Sequence, residues 1–467
     1  MSDAIVAVGG TGKRAALLYL KLVNTWKPVN LASPGGNIFV VDMEPQPGTP
    51  DALLNDQLQS AGVPTSHFVS PVPSSARVDR TITLRRFMGF GEARDGDSSQ
   101  VAHTLYNNQQ LSVQIIKGMN CEPTVGATVA SRRFVVSNPE AEVQYLEDRL
   151  ASFDRTIVVG SIIGGTGAGV IPRLVYWLHK RLPAKLVYGL LFLQWIEIPE
   201  GDVDEPNDVK MAGNTKAWLN YLIEHHPEKE YGEGDTLFQH YVLIGKPERM
   251  PLNQAGSDSH HPLHLLGALY LLQFDTFLQL APGATGPHYL ELSTGITPGS
   301  IQMGDDTMEK AVIREKLFAA ILAELKEQQP DEALSPFTLF APTTLAWKPF
   351  ISTLEKIAAK WNRRRHLDED WKKIAGFFDA ERKVSEDRVE ELKALTATMP
   401  GARDVFDFDW TMISQHADAN LADARRLVKR NLTEAPVAFP GHEQALSGVA
   451  AHFINQLRST LRQMSIK

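Results

Sequence analysis

The chain twice writes a short apolar run, a cluster of glycines and then a helical pattern. The first copy is "AIVAVGGTGKRAALLYLKL" at Ala4–Leu22, and the second is "VVGSIIGGTGAGVIPRLVYWL" at Val158–Leu178. Each reads as a buried strand turning sharply into a helix. Glycines at the carboxyl end of a strand let backbone N–H groups crowd around an anion. The helix that follows points the positive end of its dipole at the same spot. One such turn is as often structural as functional. Two of them on neighbouring strands of a parallel sheet converge on one ligand, and a polyphosphate gripped from two sides needs both.

The rest of the first half fits such a sheet. Strand-length apolar runs at Ile5–Val8, Asn37–Asp42, Thr156–Ile163, Lys185–Ile196 and "FQHYVLIG" alternate with helical patterns at about Lys13–Val23, Gly169–Arg181 and Asn214–His225. Strands that are apolar on both faces and separated by helices predict an α/β fold with a doubly wound parallel sheet. Met43–Ser112 is rich in Pro, Gly, Ser and Asp and reads as long loops, and Pro199–Asp208 reads as a polar loop. Pro262–Leu280 reads as a helix and the Gly/Pro/Thr-rich Ala281–Gly304 as a separator. From Met308 onward, "EKAVIREKLFAAILAEL", "ISTLEKIAAKWNRRR", "SEDRVEELKALTATM" and "NLADARRLVKRNL" have the spacing of amphipathic helices.

Composition removes several function classes. The net charge of -8, from 47 basic and 55 acidic side chains, argues against a dominant nucleic-acid or anionic-membrane surface. The single cysteine, Cys121, excludes an internal disulfide, reads as a small packing residue and suits a reducing compartment. The most apolar stretch, "KLVYGLLFLQWIEI", is too short to span a bilayer and reads as a central strand. With no basic-then-apolar leader pattern, the expected location is the cytoplasm. No G-x-S-x-G elbow, H-E-x-x-H pair or C-x-x-C motif is present. His260, His261 and His264 in "DSHHPLH" read as a capped helix start, not a metal site, because Pro262 interrupts them.

The first turn fails as a Walker A loop. Ala7 stands at the leading glycine, and Arg14 follows Lys13 where Ser or Thr would hold magnesium. It partly fits a dinucleotide fingerprint, Gly10-x-Gly12-x-x-Ala15, with Asp42 ending the next strand where a ribose-binding acid sits. An NAD(P)-binding oxidoreductase is therefore one alternative. The second turn points elsewhere. "GGTGAG" at Gly164–Gly169 resembles the signature loop of the tubulin/FtsZ superfamily, with Ile163 at its first glycine. "VVDMEP" at Val40–Pro45 resembles the tubulin stretch whose acids lie near the nucleotide's metal, and "AVGGTG" resembles the first phosphate loop. "EPTVGATVASRR" at Glu122–Arg133 falls where the γ-phosphate loop is carried. Over about Ala4–Met250 the chain resembles a divergent prokaryotic tubulin-like protein.

That resemblance implies GTP or GDP as ligand, with Mg2+. Gly9, Gly10, Thr11 and Gly12 would contact the α- and β-phosphates. Gly164, Gly165, Thr166, Gly167, Ala168 and Gly169 would form the main cradle, and Gly126 and Ala127 would approach a γ-phosphate. Asp42 and Glu44 would orient the magnesium ion through water. Arg14 and Lys246–Pro247 depart from the family's base-reading positions, which leaves Asn214 as the candidate base contact. No acid loop of the kind that completes hydrolysis follows Pro262–Leu280. Asp275, Asp305 and Asp306 are the nearby acids, so no catalytic residue is assigned and hydrolysis is expected to be slow.

The implied organisation is a nucleotide-binding domain over residues 1–255, a central helix and second domain over 256–350, and a helical carboxyl-terminal region over 351–467. The implied partner is a second copy, joined head to tail in an oligomer or filament. The carboxyl-terminal helices offer a surface to another protein as well. A non-polymerising nucleotide-dependent switch or scaffold is the remaining alternative.

Overall fold

In the computed structural model the described residues are 2–26, 34–43, 45, 48–90, 97–116, 119, 122–193, 196–197, 207–225, 237–245, 250–251, 262–272, 288–291, 299, 302–303, 306–327, 348–363, 367–398, 408–435 and 441–466. The chain forms two compact units, Met1–Ser293 with Met399–Gly401, and Thr294–Thr398 with Ala402–Lys467.

The first unit is built on one parallel sheet. Its strands are β1 (Asp3–Val8), β2 (Ile38–Val41), β3 (Phe68–Val69), β4 (Arg155–Ser161), β5 (Leu186–Phe192), β6 (His240–Gly245) and β7 (His288–Glu291). Their spatial order is β3-β2-β1-β4-β5-β6-β7, and every pairing is parallel. The helices that position the site are α1 (Gly9–Trp26), α2 (Pro50–Ser60), α3 (Pro123–Arg133), α4 (Ala141–Ala151), α5 (Gly165–Arg181), α6 (Asn207–Glu224) and α7 (Pro262–Leu272).

Strand alternation divides the interior into two cores. Val6, Val8, Phe39, Val41 and Val158 pack with Val129 of α3 and Leu174, Val175 and Leu178 of α5. Ile5, Ala7, Ile38, Val40, Ile157 and Val159 pack on the opposite face with Leu17 and Leu20 of α1 and Leu263 of α7. Both faces are covered, so the strands read as unbroken apolar runs. This is the doubly wound α/β fold that the sequence predicts.

Several elements differ from the expectation, and Met43–Ser112, expected to be long loops, holds helix α2 and strand β3. Helices α1 and α5 begin at Gly9 and Gly165, several residues before the expected starts at Lys13 and Gly169. Glycine's poor helix propensity hides a first turn whose N–H groups have no intrahelical acceptor in any case. β7 lies in the stretch expected to be a separator. It is a four-residue strand whose register runs from Val242↔His288 to Gly245↔Glu291.

The second unit is helical: α8 (Met308–Glu327), α9 (Lys348–Lys360), α10 (Leu367–Thr398), α11 (Trp410–Asn431) and α12 (His442–Arg462). A small antiparallel ladder joins Gln302–Met303 to Asp306–Thr307. Leu317, Phe318, Ile321, Trp371, Phe378, Ile413, Leu446 and Phe453 are buried in it. Arg458 of α12 lies 4.2 Å from the Phe318 ring centroid and bonds Glu315 of α8 at 3.2 Å. The carboxyl-terminal region is helix-rich as expected, although α12 falls outside the four segments read from the sequence. Among the described residues, no helix is long and apolar enough to cross a membrane.

Candidate functional site

β1 and β4 are hydrogen-bonded neighbours in register from Asp3↔Arg155 to Val8↔Gly160. From β1 the chain proceeds to β2 and β3 on one side, and from β4 to β5, β6 and β7 on the other. Their carboxyl ends therefore mark the topological switch point, where sheets of this kind bind ligands. Both strands lead into helices there. α1 starts at Gly9 directly after Val8, and α5 starts behind an N-cap, Gly164, whose lack of a side chain leaves the N-terminal amides uncapped. Two sets of orphan N–H groups and two positive dipole ends thus face one edge of the sheet.

The turns abut. Gly9 has φ +69°, the left-handed region that favours glycine, and a β-carbon on it would lie 3.6 Å from both Gly167 N and Thr166 Cβ. The remaining glycines fall into two groups. A β-carbon on Gly12 would come within 2.4 Å of Val159 O, and one on Gly167 within 2.0 Å of Ser161 O. On Gly165 it would meet Met119 O at 2.6 Å, and on Gly169 it would meet Gly126 Cα at 2.7 Å. These four are packing glycines that let helices sit against strand, loop and neighbouring helix backbone. A β-carbon on Gly164 meets nothing within 4 Å, and one on Gly10 meets only Arg14 Nη1 at 3.0 Å and Asp51 Oδ1 at 3.8 Å. Gly10, Thr11, Gly164 and Thr166 are also partly exposed. They form the lip that a ligand can touch.

Gly126 and Ala127 lie elsewhere. The segment read as a γ-phosphate loop is helix α3, and Gly126 packs face to face with α5: a β-carbon on it would be 2.3 Å from Gly165 O. Its amide already donates to Glu122 O at 3.2 Å. The Ala127 carbonyl accepts the Ser131 hydroxyl at 2.7 Å. Both residues sit in the α3–α5 contact, behind the lip.

Asn214 is a positioning residue here. Its Nδ2 donates to Ile163 O at 2.9 Å, immediately before the second turn. One helical turn later, the buried Trp218 donates its Nε1 to Ala168 O at 2.7 Å. That carbonyl needs an outside donor because Pro172, four residues on, has no N–H to give it. α6 thus brackets the second turn at both ends. The same helix sends Lys210 to Glu122, the N-cap of α3, at 3.1 Å. Reading the sequence alone missed Trp218. The signal was the proline inside the α5 pattern, which demands a donor from another element.

The acid expected to orient magnesium is already engaged. Lys13 is 0% exposed, and its Nζ lies 2.6 Å from Asp42 Oδ2, 3.3 Å from Asn55 Oδ1 and 3.6 Å from Asp51 Oδ1. The other Asp42 oxygen accepts the Met43 amide at 2.8 Å. Asp42 is therefore the counter-ion of a buried ammonium, and the residues present do not fit a magnesium seat at that position. Glu44 lies outside the described residues, as do Cys121, Lys246, Pro247, His260, His261, Asp275 and Asp305. Among the described residues, no group of three or more His, Cys, Asp or Glu is placed to hold a metal ion. Asp306 belongs to the small ladder of the second unit. His264 is buried, with its ring 5.9 Å from that of Phe192.

No protein-family profile matches the chain, and no curated protein matches it significantly. Among solved structures it is similar to CetZ1 from Haloferax volcanii in a GDP-bound monomer, at 17% identity over 52% of this chain and 51% of that one, with a TM-score of 0.27. It is also similar to CetZ from Methanosaeta thermophila, at 11% identity over 61% of this chain and 55% of that one, with a TM-score of 0.31. The chain thus spans about half the length of each of these structures.

Proposed function

We propose that the paired turns bind the polyphosphate of a guanine nucleotide, GTP or GDP, and that copies of the chain associate head to tail with slow hydrolysis. The observation that supports this most is the abutment of two glycine-rich helix N-termini at the switch point, with Gly10, Thr11, Gly164 and Thr166 partly exposed on the lip. Backbone amides at such a place suit a chain of phosphates. The Thr11 and Thr166 hydroxyls add donors, while the buried glycines fix the two turns against each other. Guanine, rather than another base, is carried by the resemblance of "GGTGAG" and "VVDMEP" to the tubulin/FtsZ superfamily.

A dinucleotide-dependent oxidoreductase fits less well. It needs the acid after β2 free for a ribose, and Lys13 occupies Asp42. It also leaves the second turn without a task. Self-association in this reading is heterologous, with the nucleotide-bearing edge of one copy covered by the helix-rich unit of the next.

Thermal unfolding with added ligands tests the proposal. Nucleotide at 100 times its dissociation constant adds about 2.7 kcal/mol of stability. GTP and GDP should raise the melting temperature while NAD and NADPH leave it unchanged. A shift with NADPH and none with guanine nucleotides removes the reading.

A further inference from the structure

We infer that this chain neutralises a bound polyphosphate with Arg14 and the two helix N-termini, not with a magnesium ion seated on Asp42, because Asp42 is held as the structural counter-ion of Lys13. The inference rests on the proposed polyphosphate site and deepens it.

Lys13 and Arg14 are consecutive on the first turns of α1 and face different surroundings. Lys13 is fully buried and points at the end of β2 and at α2, where Asp42, Asp51 and Asn55 receive it. An ammonium in that position must stay paired, since removing one partner of a buried ion pair leaves an uncompensated charge. Asp42 has no oxygen without a partner: Lys13 takes one and the Met43 amide takes the other. Drawing a hydrated divalent cation to this carboxylate would set a second cation beside the buried ammonium. Lys13 already supplies a cation in direct contact with Asp42, so the carboxylate is paired without a metal.

Arg14 is half-buried and turned toward the lip. Its Nη1 lies 3.0 Å from the place a β-carbon on Gly10 would occupy, and Gly10 is one of the partly exposed lip residues. Asp51 Oδ1 is 3.8 Å from the same point, so the guanidinium is held at the edge of the first turn beside an acid that is itself mostly solvated. A planar guanidinium beside uncapped amides is suited to a phosphate oxygen, with which it makes charge-assisted, bidentate bonds.

The test is equilibrium binding of a fluorescent GDP analogue to the full chain, in excess Mg2+ and in excess EDTA. The expected affinities agree within about threefold. Arg14→Gln should weaken binding about tenfold or more in both conditions, the size of a lost charge-assisted hydrogen bond. Asp42→Asn should lower the unfolding temperature, and Lys13→Met with Asp42→Asn should recover much of it, because both charges leave together. If the single Asp42 variant fails to fold, the double variant carries the comparison. Binding at least tenfold tighter in Mg2+, or an Arg14→Gln variant that binds like the wild type, overturns the inference. Absence of binding in both conditions instead removes the polyphosphate reading beneath it.

Discussion

At the scale of single residues, the two glycine clusters are not uniform, and the difference is measurable. Gly167 has a carbonyl oxygen 2.0 Å from where its β-carbon would stand, whereas Gly164 has open space. Gly167→Ala should therefore destabilise the unliganded protein by about 1–3 kcal/mol through overpacking. Gly164→Ala should cost about 1 kcal/mol or less, the loss of an N-cap preference, yet weaken nucleotide binding by crowding the lip. Unfolding without ligand, paired with a GDP titration, separates the two effects. Equal losses of stability in both variants would contradict this division. His67 offers a second residue-scale test. It is buried, with Nδ1 2.8 Å from Ile38 O and its ring stacked on Phe39 at 4.3 Å. Burial holds the imidazole pKa below its ordinary value; the bond to Ile38 opposes that shift and the Arg149 charge adds to it. Because the folded pKa is depressed, the unfolded chain takes up the proton first. The His67 contribution is thus present above the unfolded value of about 6.5 and is lost as pH falls through the lower folded value. The melting temperature should drop between pH 7.5 and 5.5, and His67→Gln should drop less over the same interval. Parallel slopes would rule out His67 as a source of the acid sensitivity.

At the scale of elements, the second turn depends on a helix distant in sequence. α6 supplies donors to Ile163 O and Ala168 O from Asn214 and Trp218, residues one turn apart on a single face. Trp218→Phe keeps most of the ring but leaves the Ala168 carbonyl without a donor, at a cost of about 1–3 kcal/mol. Nucleotide affinity should fall along with stability, because the loop loses its outer support. A variant with lowered stability and unchanged affinity would show that α6 does not position the loop. This dependence marks the limit of what the sequence discloses. The positions of β1, β2, β4, β5 and β6 and the two turns were legible from glycine clusters set against apolar runs, since covering both faces of the sheet forces that pattern, whereas the short edge strands β3 and β7 were not. The start of α1 at Gly9 and the helical state of Pro123–Arg133 were not legible. At α1 the poor helix propensity of glycine hides the first turn, and at α3 tertiary packing overrides propensity through the close approach of Gly126 to Gly165 and Gly169. The pairing of Lys13 with Asp42 was hidden for another reason. Sequence spacing shows that both residues reach the same edge of the sheet, but not that one is buried against the other.

At the scale of the whole molecule, the proposed function requires one polyphosphate site per chain, formed by both turns and completed for hydrolysis only by a second copy. The described residues contain the lip and its supports. The sequence carries no recognisable acid loop after Pro262–Leu280 to position an attacking water, a role worth about 10²–10⁴-fold in rate. Turnover should therefore be slow and should rise with protein concentration. Fast turnover independent of concentration would mean a site complete within one chain. The most direct measurement is calorimetric titration of GDP into the full-length protein, repeated with inorganic pyrophosphate present and then with NADPH as titrant. The account predicts one GDP bound per chain, competed by pyrophosphate because both occupy the same amides, and no heat of binding from NADPH. Saturable NADPH binding with no GDP binding, or GDP binding that pyrophosphate leaves untouched, would contradict it.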